Sequence, residues 1–105
     1  MIIDFHTHIV PPEILNHRED YFGSEPAFRL LYESPGAKLA SAEDLIRMMD
    51  DEGVDLSVTF GFPWTNPDLF RLNNDYVAGA VAKFPNRLKG FGCFDLYNDH
   101  VALEA

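Results

Sequence analysis

Two histidines one residue apart, His6 and His8, are the side chains whose type and spacing point most directly to chemistry. Alternate residues of a β-strand project to the same side. A strand through residues 2–10 therefore sends both imidazoles out of one face, a few ångströms from each other. That spacing suits a single divalent ion. Zinc accepts imidazole nitrogen at about 2.0–2.1 Å and in catalytic sites keeps a position for water. Such an ion brings the pKa of bound water toward ~7, or polarises a carbonyl or carboxylate as a Lewis acid; manganese or another divalent ion is a further option. Asp4 falls on the same alternation. It reads either as an orienting partner of the histidines behind the first ring of ligands, or as a group that only makes hydrogen bonds lower on that face.

The competing reading of a bare His-x-His pair is two exposed or hydrogen-bonded histidines without metal. Position tips the balance toward ligands, because the pair ends a strand that stops at Pro11-Pro12 and opens a β/α repeat. Enzymes built on such repeats keep their chemistry at the C-terminal strand ends.

The elements that must hold these side chains follow from patterning. Residues 2–10 are rich in β-branched and aromatic types and predict the first strand. Residues 10–39 are irregular, broken by Pro12, Gly23, Pro26, Pro35 and Gly36, and predict an insertion with one or two short helical turns. Ser41 with Asp44 marks a helix start, and Leu45, Met48 and Met49 form its apolar stripe up to a stop at Gly53. Val54 to Phe60 reads as a second strand. Asn66-Pro67 opens a second helix with a stripe at Leu69, Leu72, Tyr76, Val77, Ala80, Val81 and Phe84, ended by Pro85. Leu88 to Phe94 reads as a third strand, and residues 99–105 as the start of another helix.

Strands separated by helical crossovers predict an α/β fold with parallel neighbours. A (β/α)8 TIM barrel takes roughly 250 residues. The expectation is thus about three parallel strands with their crossover helices, the N-terminal third of a barrel, with residues 1–105 as one partial domain.

The run Asp4-Phe5-His6-Thr7-His8-Ile9-Val10-Pro11 resembles the Asp-x-His-x-His opening of the amidohydrolase superfamily. It looks most like the amidohydrolase-2 branch, which includes aminocarboxymuconate semialdehyde decarboxylase and resorcylate-type decarboxylases. Asn74-Asp75-Tyr76-Val77 and Phe84-Pro85-Asn86-Arg87-Leu88-Lys89-Gly90-Phe91 extend the resemblance over most of the chain. It implies His6 and His8 as ligands of a divalent metal, usually zinc, in a metal-dependent hydrolase or non-oxidative decarboxylase acting on a small carbonyl- or carboxyl-containing substrate. The family's remaining histidines and aspartate come from strands five, six and eight, which have no counterpart here, and His17 and His100 do not match them. The alternatives are a catalytically incomplete piece with a structural or interaction role, and a metallophosphoesterase of the PHP or TatD type.

Acidic residues outnumber basic ones 17 to 8, for a formal charge of −9. That field repels phosphate backbones and anionic lipid, arguing against nucleic acid or membrane as partners. A charged start without a long apolar run predicts a cytoplasmic protein, and the lone Cys93 fits a reducing compartment. The expected partners are a small-molecule substrate and either further copies of the chain or the remainder of a barrel.

Trp64 follows the second strand on the side where a metal is expected, which makes it a candidate for lining a substrate pocket; the more ordinary reading is a packed aromatic. Arg87, at the opposite end of the strands, reads as structural. Cys93 reads as a buried inert thiol, Asp95 as a solvated turn residue, Met48 and Met49 as core, and the acidic groups at 43–44 and 50–52 as a solvated helix face.

Overall fold

The computed structural model describes residues 1–34, 36 and 39–91, with backbone only for Phe5, His6 and Phe91. Cys93, Asp95, His100, the helix from Asp99 and the strand beyond Phe91 lie outside the described residues. The chain runs β1 (Ile3–His8), α1 (Pro12–Leu15), a 3-10 turn (Arg18–Tyr21), α2 (Pro26–Tyr32), α3 (Ala42–Glu52), β2 (Leu56–Phe60), α4 (Pro67–Lys83) and β3 (Leu88–Phe91). The strands form one parallel sheet in the order β1-β2-β3. The chain is therefore α/β, with helical crossovers between parallel neighbours as the patterning predicts. Among the described residues no helix is long and apolar enough to cross a membrane.

Local signals set the helix ends. The Ser41 hydroxyl accepts from the Asp44 amide at 3.2 Å while the Asp44 carboxylate accepts from the Ser41 amide at 3.2 Å, a reciprocal capping box. The next free amide, Ala42 N–H, donates to the Tyr76 hydroxyl at 2.9 Å, which ties the start of α3 to α4. Gly53 closes α3 at φ 72°, a conformation costly for any residue with a Cβ. Asn66 caps α4, with Pro67 in its first turn. The residue-10–39 insertion carries α1, the 3-10 turn and α2, more helix than the breakers suggest.

The Ser41 amide is the main cause holding the Asp44 carboxyl below its ordinary range, helped by Arg47 against an opposing cost of burial. A carboxyl whose folded pKa is depressed stabilises the fold fully above its unfolded value, about 3.9, and loses that contribution as pH falls through the folded value. Stability measured by urea unfolding should therefore drop below about pH 4. In Asp44→Asn that part of the decline should be missing; an equally steep decline in the variant would contradict the capping account.

The first core lies between sheet and helices: Ile9, Ala42, Leu45, Met49, Val77, Ala80 and Leu88 are buried together. Met49 is 2% exposed but Met48 is 43% exposed, so Met48 is not core as the sequence suggests. Successive helix residues turn by about 100°, and the stripe Ala42, Leu45, Met49 leaves Met48 at its margin. Leu72, expected on the α4 stripe, is likewise 39% exposed; the buried face runs through Phe70, Asn73, Val77 and Ala80 instead. At Gly90 an added Cβ would lie 2.8 Å from methyl carbons of both Val77 and Val81, so glycine lets α4 lie directly on β3. The sheet face bearing Gly90 and its partner Thr59 is thus the one covered by α4.

Arg87 buttresses the amino ends of the strands. Its guanidinium donates to the carbonyls of Asp55 and Val54, both at 3.1 Å, and pairs with Asp50 at 2.8 Å. The structural reading of Arg87 fits this geometry. The acidic helix faces are not merely solvated, since Asp50 meets Arg87 and Glu43 meets Lys83 at 2.9 Å.

Candidate active site

His8 is the last residue of β1, placed there because Pro11 and Pro12 follow and cannot extend a ladder. Its half-buried ring stands beside Phe60, 6.0 Å between centroids, and Phe62, 6.4 Å away. The Nδ1 atom lies 3.1 Å from the Gly61 carbonyl oxygen. A carbonyl only accepts, so the bond requires the proton on Nδ1, and the neutral ring then carries its lone pair on Nε2. Metal-binding histidines are oriented by this kind of bond. His8 thus fits the role of a metal ligand at the C-terminal end of a parallel strand. The side chain of His6 lies outside the described residues.

Asp4 behaves differently from the simple alternation. Asp4 pairs with Ser57 and His8 with Phe60, but between Asp4 and Thr7 the register shifts by one residue relative to β2. Paired residues of a parallel ladder share a side. Asp4 therefore takes the parity of Ser57 and Thr59, whereas His8 takes that of Phe60. The insertion of one residue undoes the single polar face that spacing predicts, and Asp4 stands exposed on the other parity.

Trp64 is 1% exposed and belongs to a second core with Val10, Ile14, Phe28, Phe62 and Phe70 above the strand ends. Its ring lies 4.6 Å from that of Phe28 and 5.1 Å from that of Phe62, and its Nε1–H donates to Asn73 Oδ1 at 2.9 Å. A side chain so enclosed offers a substrate no surface in this fold. Packed rings with the indole donor satisfied are the ordinary environment of a buried tryptophan.

Two groups that sequence patterning passes over organise the region. Asn73, 0% exposed, accepts from the Phe62 amide at 3.0 Å as well as from Trp64, and its Nδ2 donates to the Ile9 carbonyl at 2.9 Å. Glu25, 2% exposed, accepts from the Thr65 amide and hydroxyl, both at 2.7 Å, and from the Asn66 amide at 3.2 Å. Its carboxylate thereby meets the amino end of α4, where the helix dipole favours negative charge. The insertion is fastened by Glu25 to the loop after β2. The available signal was an asparagine on an apolar helix face; for Glu25 there was none.

An open cleft of about 750 Å³ lined by Met1, Asp50, Asp55, Arg87 and Lys89, among others, lies at the amino ends of the strands, away from His8. Among the described residues no group of three or more His, Cys, Asp or Glu converges to hold a metal.

No protein-family model matches the chain. No curated protein matches it. Among solved structures it is similar to 4-oxalomesaconate hydratase, LigJ, from Rhodopseudomonas palustris, with a TM-score of 0.50 and 20% identity. The match covers 88% of this chain and 32% of that one, so the chain spans about a third of the length of its neighbour. At this identity the likeness is one of fold.

Proposed function

We propose that the chain contributes the first strands of a metal-dependent hydrolase or lyase of the amidohydrolase type, with His6 and His8 among the ligands of one divalent metal, most simply zinc. The observation that carries this reading is the His8 Nδ1–H bond to the Gly61 carbonyl at the C-terminal end of β1, since it presents Nε2 to a ligand. The fold shared over 88% of the chain with an enzyme, a hydratase, supports it. Bound there, the metal would supply Lewis-acid polarisation of a carbonyl or carboxylate, or an activated water. The substrate class is a small molecule bearing such a group, and the rest of a (β/α)8 barrel would supply the ligands that the described residues lack.

The second reading, a piece with only a structural or interaction role, is favoured by the open sheet. Among the described residues β1 and β3 are the outer strands, and Leu56, Val58 and Phe60 are only half-buried on the face away from α4. Metal analysis separates the two. The full-length protein, once purified, is expected to carry about one zinc or other divalent ion per chain, and the same protein with His6→Ala and His8→Ala to carry none. Equal metal in both proteins would remove the histidines from the site; none in either would leave the structural role.

A further inference from the structure

The bonds around Asn73 close on themselves. Its Nδ2 holds the carbonyl of Ile9, the residue after His8, and its Oδ1 holds the amide of Phe62, the residue after Gly61. Gly61 in turn accepts from His8 Nδ1. The circuit from His8 through Gly61, Phe62, Asn73 and Ile9 back to His8 contains only hydrogen bonds and peptide links. The exits of β1 and β2 are locked at a set distance. Gly61 carries an independent mark of the same contact, because an added Cβ there would lie 2.8 Å from Asn73 Cγ and 3.0 Å from Oδ1. The amide is pressed against the Gly61 backbone, and no side chain fits between them.

We propose that Asn73 is the positioning residue for His8: it holds the Gly61 carbonyl where it takes the Nδ1 proton, and so selects the tautomer that offers Nε2 to a ligand. This deepens the reading of His8 as a metal ligand and rests on it for its purpose. A buried amide whose oxygen and nitrogen are both used fixes geometry sharply, since each lost bond leaves a buried polar group unpaired.

The experiment is ¹⁵N NMR of the His8 ring at one fixed alkaline pH with chelator present, assigned by His8→Gln, followed by zinc titration. Asn73→Asp keeps an acceptor for Phe62 and Trp64 but sets a carboxylate oxygen against the Ile9 carbonyl. Met49→Ala, in the first core but outside the hydrogen-bond circuit, controls for general loosening. The native protein should show His8 as the Nδ1–H tautomer. Asn73→Asp should show a mixture and bind zinc about 10–100-fold more weakly, the usual scale for losing an outer partner of a ligand. Met49→Ala should keep the native tautomer. A native Nε2–H tautomer, an unchanged tautomer in folded Asn73→Asp, or an equal change in Met49→Ala would each overturn the proposal. Should Asn73→Asp not fold, proton exchange in the native protein decides: the His8 ring N–H and the Asn73 amide protons must open together, and unrelated rates would overturn it. A native tautomer as expected with no zinc bound would instead defeat the metal reading and leave the positioning intact.

Discussion

Trp64→Ala should destabilise the protein by about 3–5 kcal/mol, the range for truncating a large buried aromatic. The indole fills the centre of the second core, against Phe28, Phe62 and Tyr21, and its removal leaves a cavity that those rings cannot all close. Trp64→Phe should cost far less, about 1 kcal/mol, because it keeps most of the packing and Asn73 Oδ1 still accepts from the Phe62 amide. Urea unfolding monitored by circular dichroism measures both. Similar small losses in the two variants would show that Trp64 is not packed as described and would reopen its place in a substrate pocket.

Glu25→Ala is expected to cost about 3 kcal/mol, the upper end for hydrogen bonds to a charged acceptor. The substitution strips the Thr65 amide, the Thr65 hydroxyl and the Asn66 amide of one shared partner. The effect should be local as well as global. With its fastening gone, the segment from α1 to α2 should be cut faster by protease under native conditions, at sites within residues 12–34. Glu25→Gln keeps an acceptor oxygen, and the Thr65 hydroxyl can turn to receive the new amide, so a smaller loss is expected. Unchanged proteolysis in Glu25→Ala would mean that the insertion is held by its aromatic packing alone, through Phe28 and Tyr32 against Phe62.

The two largest effects thus fall on a pocket candidate and on a residue within a segment read as an irregular insertion. The sequence alone offers a packed reading of Trp64, because a large aromatic after a strand is most simply core. It offers none for Glu25. A lone glutamate before a proline looks like any surface residue, and what buries it is 40 residues away in Thr65.

What the sequence by itself determined is the part that depends on neighbours along the chain. The capping box at Ser41 and Asp44, the stop at Gly53, the Asn66-Pro67 start and the strand endings at proline are contacts within a few residues, and they place α3, β2, α4 and β3 nearly where patterning put them. The stop at Pro11-Pro12 leaves His8 at the C-terminal end of β1, and the alternation of helices and strands makes the sheet parallel. Tertiary structure decided what depends on partners remote in sequence. The one-residue shift that separates Asp4 in parity from His8 arises only when β1 meets β2, about 50 residues later. The helix face that buries Asn73 and exposes Leu72 is set by where the carbonyl of Ile9 lies, 64 residues before Asn73. A buried polar group is stable only where its partners converge, and that convergence exists only in the folded chain.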